Sequence, residues 1–440
     1  MRSVLSSAAR RRQILRWSRR VMDAVAVLAL TAVVVVTQVR LYGAEPGPAD
    51  VVAQLRFLGQ ELRSGAGERM QRYFPEGYFF SHVLYGLAWT EVAQAEPSYR
   101  QRALEQSRWA LVQLESTSGT AVFDSWLRPR YGVFYAGWSS RLRGAVVELA
   151  GPAAPEAARL GADCAELAAS FEAEGPFLPA YPRQAWPVDS VVAVAALRMH
   201  DRVLEPRFGA VVEHWTAAAR ARLDPATGLL PHRVLPMAEG ARGSSQSLIQ
   251  RFLPEVDKDW ADEQYRLFRS TFAARPLGLP AVREYPHGVD GEGDVDSGPL
   301  LFGASLSASV VALGAARVHG DRSLAGPLTS LGEALGVPVS VGSGKRYGFG
   351  MFPVGDAFLA WSYAAPQASD GTFGAVVGWW WRLPWHALGL AVLGLLWLPV
   401  LHRRLRWDRT RRGRRAIGPG VGEQTGEQDD TNTTDRRERE

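Results

Sequence analysis

Cysteine is the residue this chain most conspicuously lacks. Its 440 residues include a single one, Cys164. That excludes an intramolecular disulfide and a cage of several thiolates around a metal ion within one chain. Cys164 falls in the alanine-rich stretch 157–173, where a free cysteine acts as a small packing hydrophobe. Lysine is nearly absent as well, occurring only at 258 and 345, and arginine carries the positive charge. No zinc-knuckle or P-loop spacing occurs. Nor does the Gly-x-Ser-x-Gly elbow of a serine hydrolase. Few stretches alternate strictly between apolar and polar residues, which disfavours a β-rich fold. The hydrophobic share of 47% still allows a large core.

The net charge of +5 is unevenly placed. Residues 1–42 hold 8 Arg and 1 Asp, and residues 376–440 hold 12 Arg and 8 acids. The stretch 43–375 is left with 30 basic and 36 acidic groups, which argues against a nucleic-acid-binding face there.

Both basic ends adjoin long apolar runs. Residues 21–39 follow a cluster of arginines in 1–20, and residues 383–401 follow Trp379, Trp380 and Trp381 and precede a second arginine cluster. Each run is long enough for a membrane-spanning helix. The arginines predict that both termini are cytoplasmic and that 43–375 is extracytoplasmic, at the cell membrane. A cleaved signal peptide is the rival for the first run. From about residue 418 the tail is polar and reads as disordered within a cytoplasmic segment, 402–440.

Between residues 49 and 366 the apolar spacing predicts twelve amphipathic helices, as at Val51, Leu55, Leu58 and Leu62. Their connections alternate in length. Short ones fall near 95–97, 151–153, 203–205, 255–256 and 318–320. Long ones fall near 64–76, 117–131, 175–186, 224–243, 275–296 and 336–355. The helices after long connections, such as 78–89, 188–197 and 300–315, are apolar nearly all round and therefore predict burial. An all-α ring of six helical hairpins follows, with an inner and an outer layer and every long loop on one rim. Inner-helix N-termini would point into that mouth and favour acids there.

The long loops carry the chemistry. Residues 283–299 hold Arg283, Glu284, Tyr285, His287, Asp290, Glu292, Asp294 and Asp296. Crowded carboxyls cannot all ionise cheaply, so at least one is expected to stay protonated and serve as an acid. Glu284, Asp294, Asp296 and Asp189 are the candidate acids and bases, with His287 as a proton shuttle. The plainer reading is that Asp296 or Ser297 caps the following helix. Asp290, Glu292, Asp294 and Asp296 also sit at alternate positions, as in a calcium loop. An EF-hand would need Gly at Val295 and Glu at Leu301, so only a looser calcium site remains. Trp186, Arg242, Gln246 and Tyr285 are candidate substrate contacts, although Ser244 and Ser245 also read as a helix cap. Tyr78, Tyr131, Tyr135, Trp138, Tyr347 and Asp356 could line the mouth. His82 reads as a core histidine.

Six such hairpins with acids at one mouth resemble the (α/α)6 toroids of several glycoside hydrolases, uronate epimerases and polysaccharide lyases. More narrowly, Trp186-Pro187-Val188-Asp189, Gly243-Ser244-Ser245-Gln246, Arg283-Glu284-Tyr285-Pro286 and residues 293–299 resemble membrane-attached bacterial proteins with a linalool dehydratase/isomerase-like domain. That resemblance covers roughly 45–365. It implies cofactor-free acid/base handling of a tertiary allylic alcohol, a lyase or isomerase activity. The family chemistry is associated with catalytic cysteines, and this chain offers only Cys164. The alternatives are an enzyme acting on an envelope glycan and a non-catalytic envelope binding protein.

Overall fold

The computed structural model describes residues 2–43, 45–369 and 371–416. The polar tail expected from about residue 418 lies outside the described residues. The chain is mostly helical. We label its longer helices α1 (Arg2–Arg40), α2 (Pro48–Arg63), α3 (Gly77–Ala95), α4 (Arg100–Leu114), α5 (Gly132–Ala150), α6 (Glu156–Glu174), α7 (Pro187–Val203), α8 (Gly209–Arg220), α9 (Gly243–Val256), α10 (Lys258–Phe272), α11 (Leu306–Val318), α12 (Arg322–Leu335), α13 (Pro353–Ala364) and α14 (Leu383–Ala416).

Two units result: residues up to 34 with those from 388 onward, and residues 35–387. The first is built from the two terminal helices. Their apolar stretches, Gln13–Arg40 and Trp380–His402, are 28 and 23 residues long, enough to cross a bilayer. Val25, Leu28, Val33 and Leu395 are exposed on them. Within this unit the Trp397 indole donates to Thr31 Oγ1 at 3.0 Å.

In the central unit, α3, α5, α7, α9, α11 and α13 are buried on nearly every side. Most of them are apolar nearly all round, as burial on all faces requires, whereas α9 also buries Ser244, Ser245, Gln246, Ser247, Gln250 and Arg251. Each packs on the next in that order, and α13 also packs on α3. The even-numbered helices cover them: α2 lies on α3 and α13, α4 on α3 and α5, α6 on α5 and α7, α8 on α6 and α7, α10 on α9, and α12 on α11. These keep one polar face. α10 buries Trp260, Tyr265 and Phe268 while exposing Asp259 and Arg266.

Connections alternate between short (96–99, 151–155, 204–208, 257, 319–321) and long (64–76, 115–131, 175–186, 221–242, 273–305, 336–352). The long ones touch one another. Ala185 bridges to Leu235, and the Gly243 N–H donates to the Glu284 carbonyl at 2.8 Å. We call this side the long-loop end.

The helix expected from residue 300 starts only at Leu306. Pro299 lacks an N–H, and Gly303 turns the chain back at φ 76°, so residues 300–305 form a hairpin instead. Strands β1 (Ala273–Ala274), β2 (Ala281–Arg283), β3 (Leu300–Leu301) and β4 (Ala304–Ser305) make a small antiparallel sheet in the order β1-β2-β4-β3. Ser305, not Asp296 or Ser297, caps α11 by accepting from the Ala308 N–H at 3.1 Å. A further hairpin pairs β5 (Val339–Val341) with β6 (Gly344–Arg346).

Aromatic rings fill the middle of the odd-numbered helices. Trp138 of α5 meets Phe80 of α3 at 5.5 Å, Phe252 of α9 at 5.1 Å and Trp361 of α13 at 5.9 Å between centroids. Glu91 of α3 pairs there with Arg251 of α9 at 2.5 Å and accepts from the Trp361 indole at 3.1 Å. Cys164 is fully buried, and burial pushes its thiol pKa up, as a packing role requires. Trp138 ties four of the buried helices together. Trp138→Ala is therefore expected to lower the unfolding free energy by about 3–5 kcal/mol in denaturant titration of the full-length chain. A loss under about 1 kcal/mol would show that the centre is not close-packed.

Candidate acid/base site at the long-loop end

Arg242, the residue before α9, organises the site. Its Nε donates to Glu284 Oε1 at 2.8 Å, and its Nη1 pairs with Asp294 Oδ2 at 2.6 Å. Its guanidinium lies 5.2 Å from the centre of the Tyr285 ring. The sheet sets this geometry. Glu284 follows β2, whose Arg283 pairs with Ala304 of β4, and its backbone bonds to Gly243. A Cβ at Gly243 would sit 1.8 Å from the Arg283 carbonyl oxygen, so only glycine permits the approach.

Glu284 is fully buried and also accepts from the Ser244 N–H at 3.1 Å and the Ser244 hydroxyl at 2.7 Å. It thus caps α9 from outside the helix, a role expected of Ser244 or Ser245 themselves. Burial raises its pKa against the opposing effect of Ser244 and Arg242. Asp294 behaves oppositely. Burial would raise its pKa, but the Ser297 N–H and Arg242 outweigh that and hold it below the ordinary value. Asp294 Oδ1 accepts from the Asp296 and Ser297 N–H groups at 3.1 and 3.0 Å. That tight turn fixes where Asp296 stands.

Asp296 is solvent-exposed yet closely surrounded by protein. This crowding, with the charges of Asp294 and Glu76, pushes its pKa up to about 6. Asp189, in the first turn of α7, is buried, and its pKa is raised well above the ordinary value by burial, then by Glu76 and Asp296. Glu76 immediately precedes α3 and accepts from the Tyr181 hydroxyl. Burial and Glu76 raise the Tyr181 pKa in turn. Among the described residues, the side-chain carboxyls of Asp189 and Asp296 receive no hydrogen bond from the protein. Trp186 stands edge-on to Tyr181 at 6.0 Å. His232 contacts Ser245 Oγ, and burial and Arg242 lower its pKa to about 3, leaving it neutral.

The structure thus gathers Asp189, Arg242, Glu284, Tyr285, Asp294 and Asp296, with Trp186 beside Tyr181. Other expected site residues are engaged elsewhere. His287 is exposed and turns its Nε2 to the Ala273 carbonyl at 3.0 Å, so it is not placed to shuttle a proton among these acids. Gln246 is fully buried and donates to the Leu230 carbonyl at 2.6 Å. Tyr78 donates to Gln113, Tyr135 to the Leu114 carbonyl and Tyr347 to Glu333. Tyr131 packs edge-on against Tyr135, and Trp138 belongs to the aromatic centre. Asp356 accepts from Gln54 at 3.0 Å and from the Tyr347 N–H at 3.1 Å, tying α2 to the 336–352 loop. Burial nevertheless raises its pKa to about 7.

Asp290 is turned outward and pairs with Arg283, and Asp294 is held by Arg242. Among the described residues no group of three or more His, Cys, Asp or Glu is arranged to hold a metal ion. Cavities of 390 Å³ beside Trp381 and 630 Å³ beside Arg63 are lined by none of the site acids.

Glu76, Tyr181 and His232 were not among the expected site residues. Glu76 carried a usable signal: like Asp189, it is an acid at the start of a uniformly apolar helix that follows a long loop. No family model and no curated protein matches the chain.

The raised pKa values have a stability consequence. The folded state holds protons on Asp189 and Asp296 that the unfolded chain releases above its ordinary carboxyl range. Their contribution is therefore full below about pH 4 and is lost as pH rises through about 6 for Asp296 and through the raised pKa of Asp189. Asp189→Asn and Asp296→Asn should each raise the melting temperature at pH 8 and give no gain at pH 4. A lower melting temperature at pH 8 would mean that the carboxylates hold the loops together.

Proposed function

We propose that this chain is a membrane-anchored (α/α)6 toroid that performs acid/base chemistry on an alcohol, as a dehydratase or isomerase. The neighbour order of the odd-numbered helices, which returns from α13 to α3, supports the toroid reading. The arginine clusters next to both apolar helices support cytoplasmic termini and an extracytoplasmic body. The resemblance to linalool dehydratase/isomerase-like domains is consistent with Arg242, Glu284, Asp294 and Asp296 meeting around one opening.

One observation carries the enzymatic reading. Two carboxyls free of protein hydrogen bonds, Asp189 and Asp296, both have raised pKa values, the charge of Asp296 acts on Asp189, and the adjoining Asp294 is held below the ordinary value. Carboxyl groups whose environments split their pKa values are the usual acid and base of such sites. Asp189, whose proton is held by burial, would donate it to a departing hydroxyl, so that the C–O bond breaks and water leaves. Asp296, largely ionised, would take a proton from the neighbouring carbon, whose electron pair becomes the new C=C bond. Proton return from Asp296 to Asp189 resets the site. The reverse sequence hydrates an alkene. Glu284 and Arg242 act here as positioning residues, because their polar atoms already serve α9 and the Asp294 turn. An envelope glycan is the second reading, favoured by the partly exposed Trp186 and Tyr181 rings beside the acids.

The test is turnover of tertiary allylic alcohols by full-length protein in membranes, run in deuterium oxide to detect proton transfer to carbon. Asp189→Asn and Asp296→Asn should each reduce turnover by about 10²–10⁴-fold with folding intact. Activity that survives both changes would refute the assignment.

A further inference from the structure

The large apolar side chains exposed on the central unit's connections follow a pattern. Among the described residues the short connections expose none, whereas the long ones expose many, Leu277, Phe302 and Phe349 among them at 64%, 71% and 61%. These three share an unusual backbone. Each adopts a left-handed φ, of 52°, 52° and 59° respectively, followed by a glycine that is also left-handed: Gly278, Gly303 and Gly350. A bulky residue in that region is strained. Three separate loop tips therefore hold a large hydrophobe outward in a conformation that glycine would adopt more cheaply.

The stretches leading to the apolar helices leave the central unit at this same end. Arg40 donates to the Pro338 carbonyl at 2.8 Å, in the loop that carries Phe349. Leu41 and Trp381 pack together against Ala334, with Leu279 alongside, two residues from Leu277. Gln38 donates to the Trp385 carbonyl at 3.1 Å, joining the two departing stretches.

We propose that the long-loop end is a membrane-contacting surface, whose apolar tips Leu277, Phe302 and Phe349 enter the interfacial layer of the bilayer. The occupant is lipid because the stretches that continue into the bilayer-length helices leave beside these loops. Apolar side chains held at loop tips gain by transfer from water into the headgroup–acyl boundary. The acid site then opens toward lipid and is supplied with a membrane-dissolved alcohol. That last consequence rests on the acid/base reading, whereas the surface does not.

Site-directed spin labelling tests the surface without any turnover assay. Cys164 is buried, so nitroxides can be directed to Leu277→Cys, Phe302→Cys and Phe349→Cys in the full chain. Ala153→Cys, exposed in the short connection 151–155, is the reference. In phosphatidylcholine bilayers the three tip labels should be more accessible to oxygen than to an aqueous nickel complex, and the Ala153 label the reverse. Tips as accessible to nickel as the reference would overturn the proposal. So would tips shielded from both reagents, which would place them in a contact between protein copies.

Discussion

Arg242 is one cation held between two carboxylates at different depths, Glu284 inside the protein and Asp294 at its surface. Removing a charge such as Glu284 from water costs several kcal/mol unless partners replace its hydration. Arg242 and both donors of Ser244 supply that replacement. The same arginine lowers the proton affinity of Asp294, whose side chain closes the turn that carries Asp296. Two otherwise separate segments, the entry to α9 and the loop from β2 to β3, are thereby locked into one register. Gly243 makes this contact sterically admissible.

The remaining acids answer to a different balance. Asp189 and Glu76 stand at the starts of α7 and α3, where the helix dipole favours negative charge. A helix N-terminus contributes only about 0.3–2 kcal/mol, however. Burial of Asp189 and the neighbouring charges of Glu76 and Asp296 act the other way and prevail. Asp294 is spared the same fate by direct hydrogen bonds. Chemically identical side chains in one loop cluster therefore hold protons differently, according to burial, neighbouring charge and which donors reach them.

Much of the scaffold was legible in the sequence because it depends on local pattern. Spacing of apolar residues marked the helices, uniform apolarity marked the buried ones, and loop length alternated visibly along the chain. The Glu284 region was only half legible. Its acids were conspicuous, but the sheet of β1 to β4 that presents them has strands of two or three residues, too short for alternation to show. His287, Gln246 and Tyr78 misled because a polar residue beside a motif looks the same whether its partner is a ligand or a backbone carbonyl. Glu76 and Tyr181 were missed because their pairing spans 105 residues and has no periodic signature.

Proton occupancy at the long-loop end is the central quantity: in the absence of substrate Asp189 holds its proton more tightly than an ordinary aspartate, and Asp294 less tightly. Site-resolved titration of ¹³C-labelled aspartate carboxyls in the full-length chain measures this directly, with Asp189→Asn and Asp296→Asn used for assignment. Asp189 should titrate well above the ordinary aspartate value, Asp296 near 6, and Asp294 below the ordinary value. Three carboxyls titrating together near the ordinary aspartate value would contradict it.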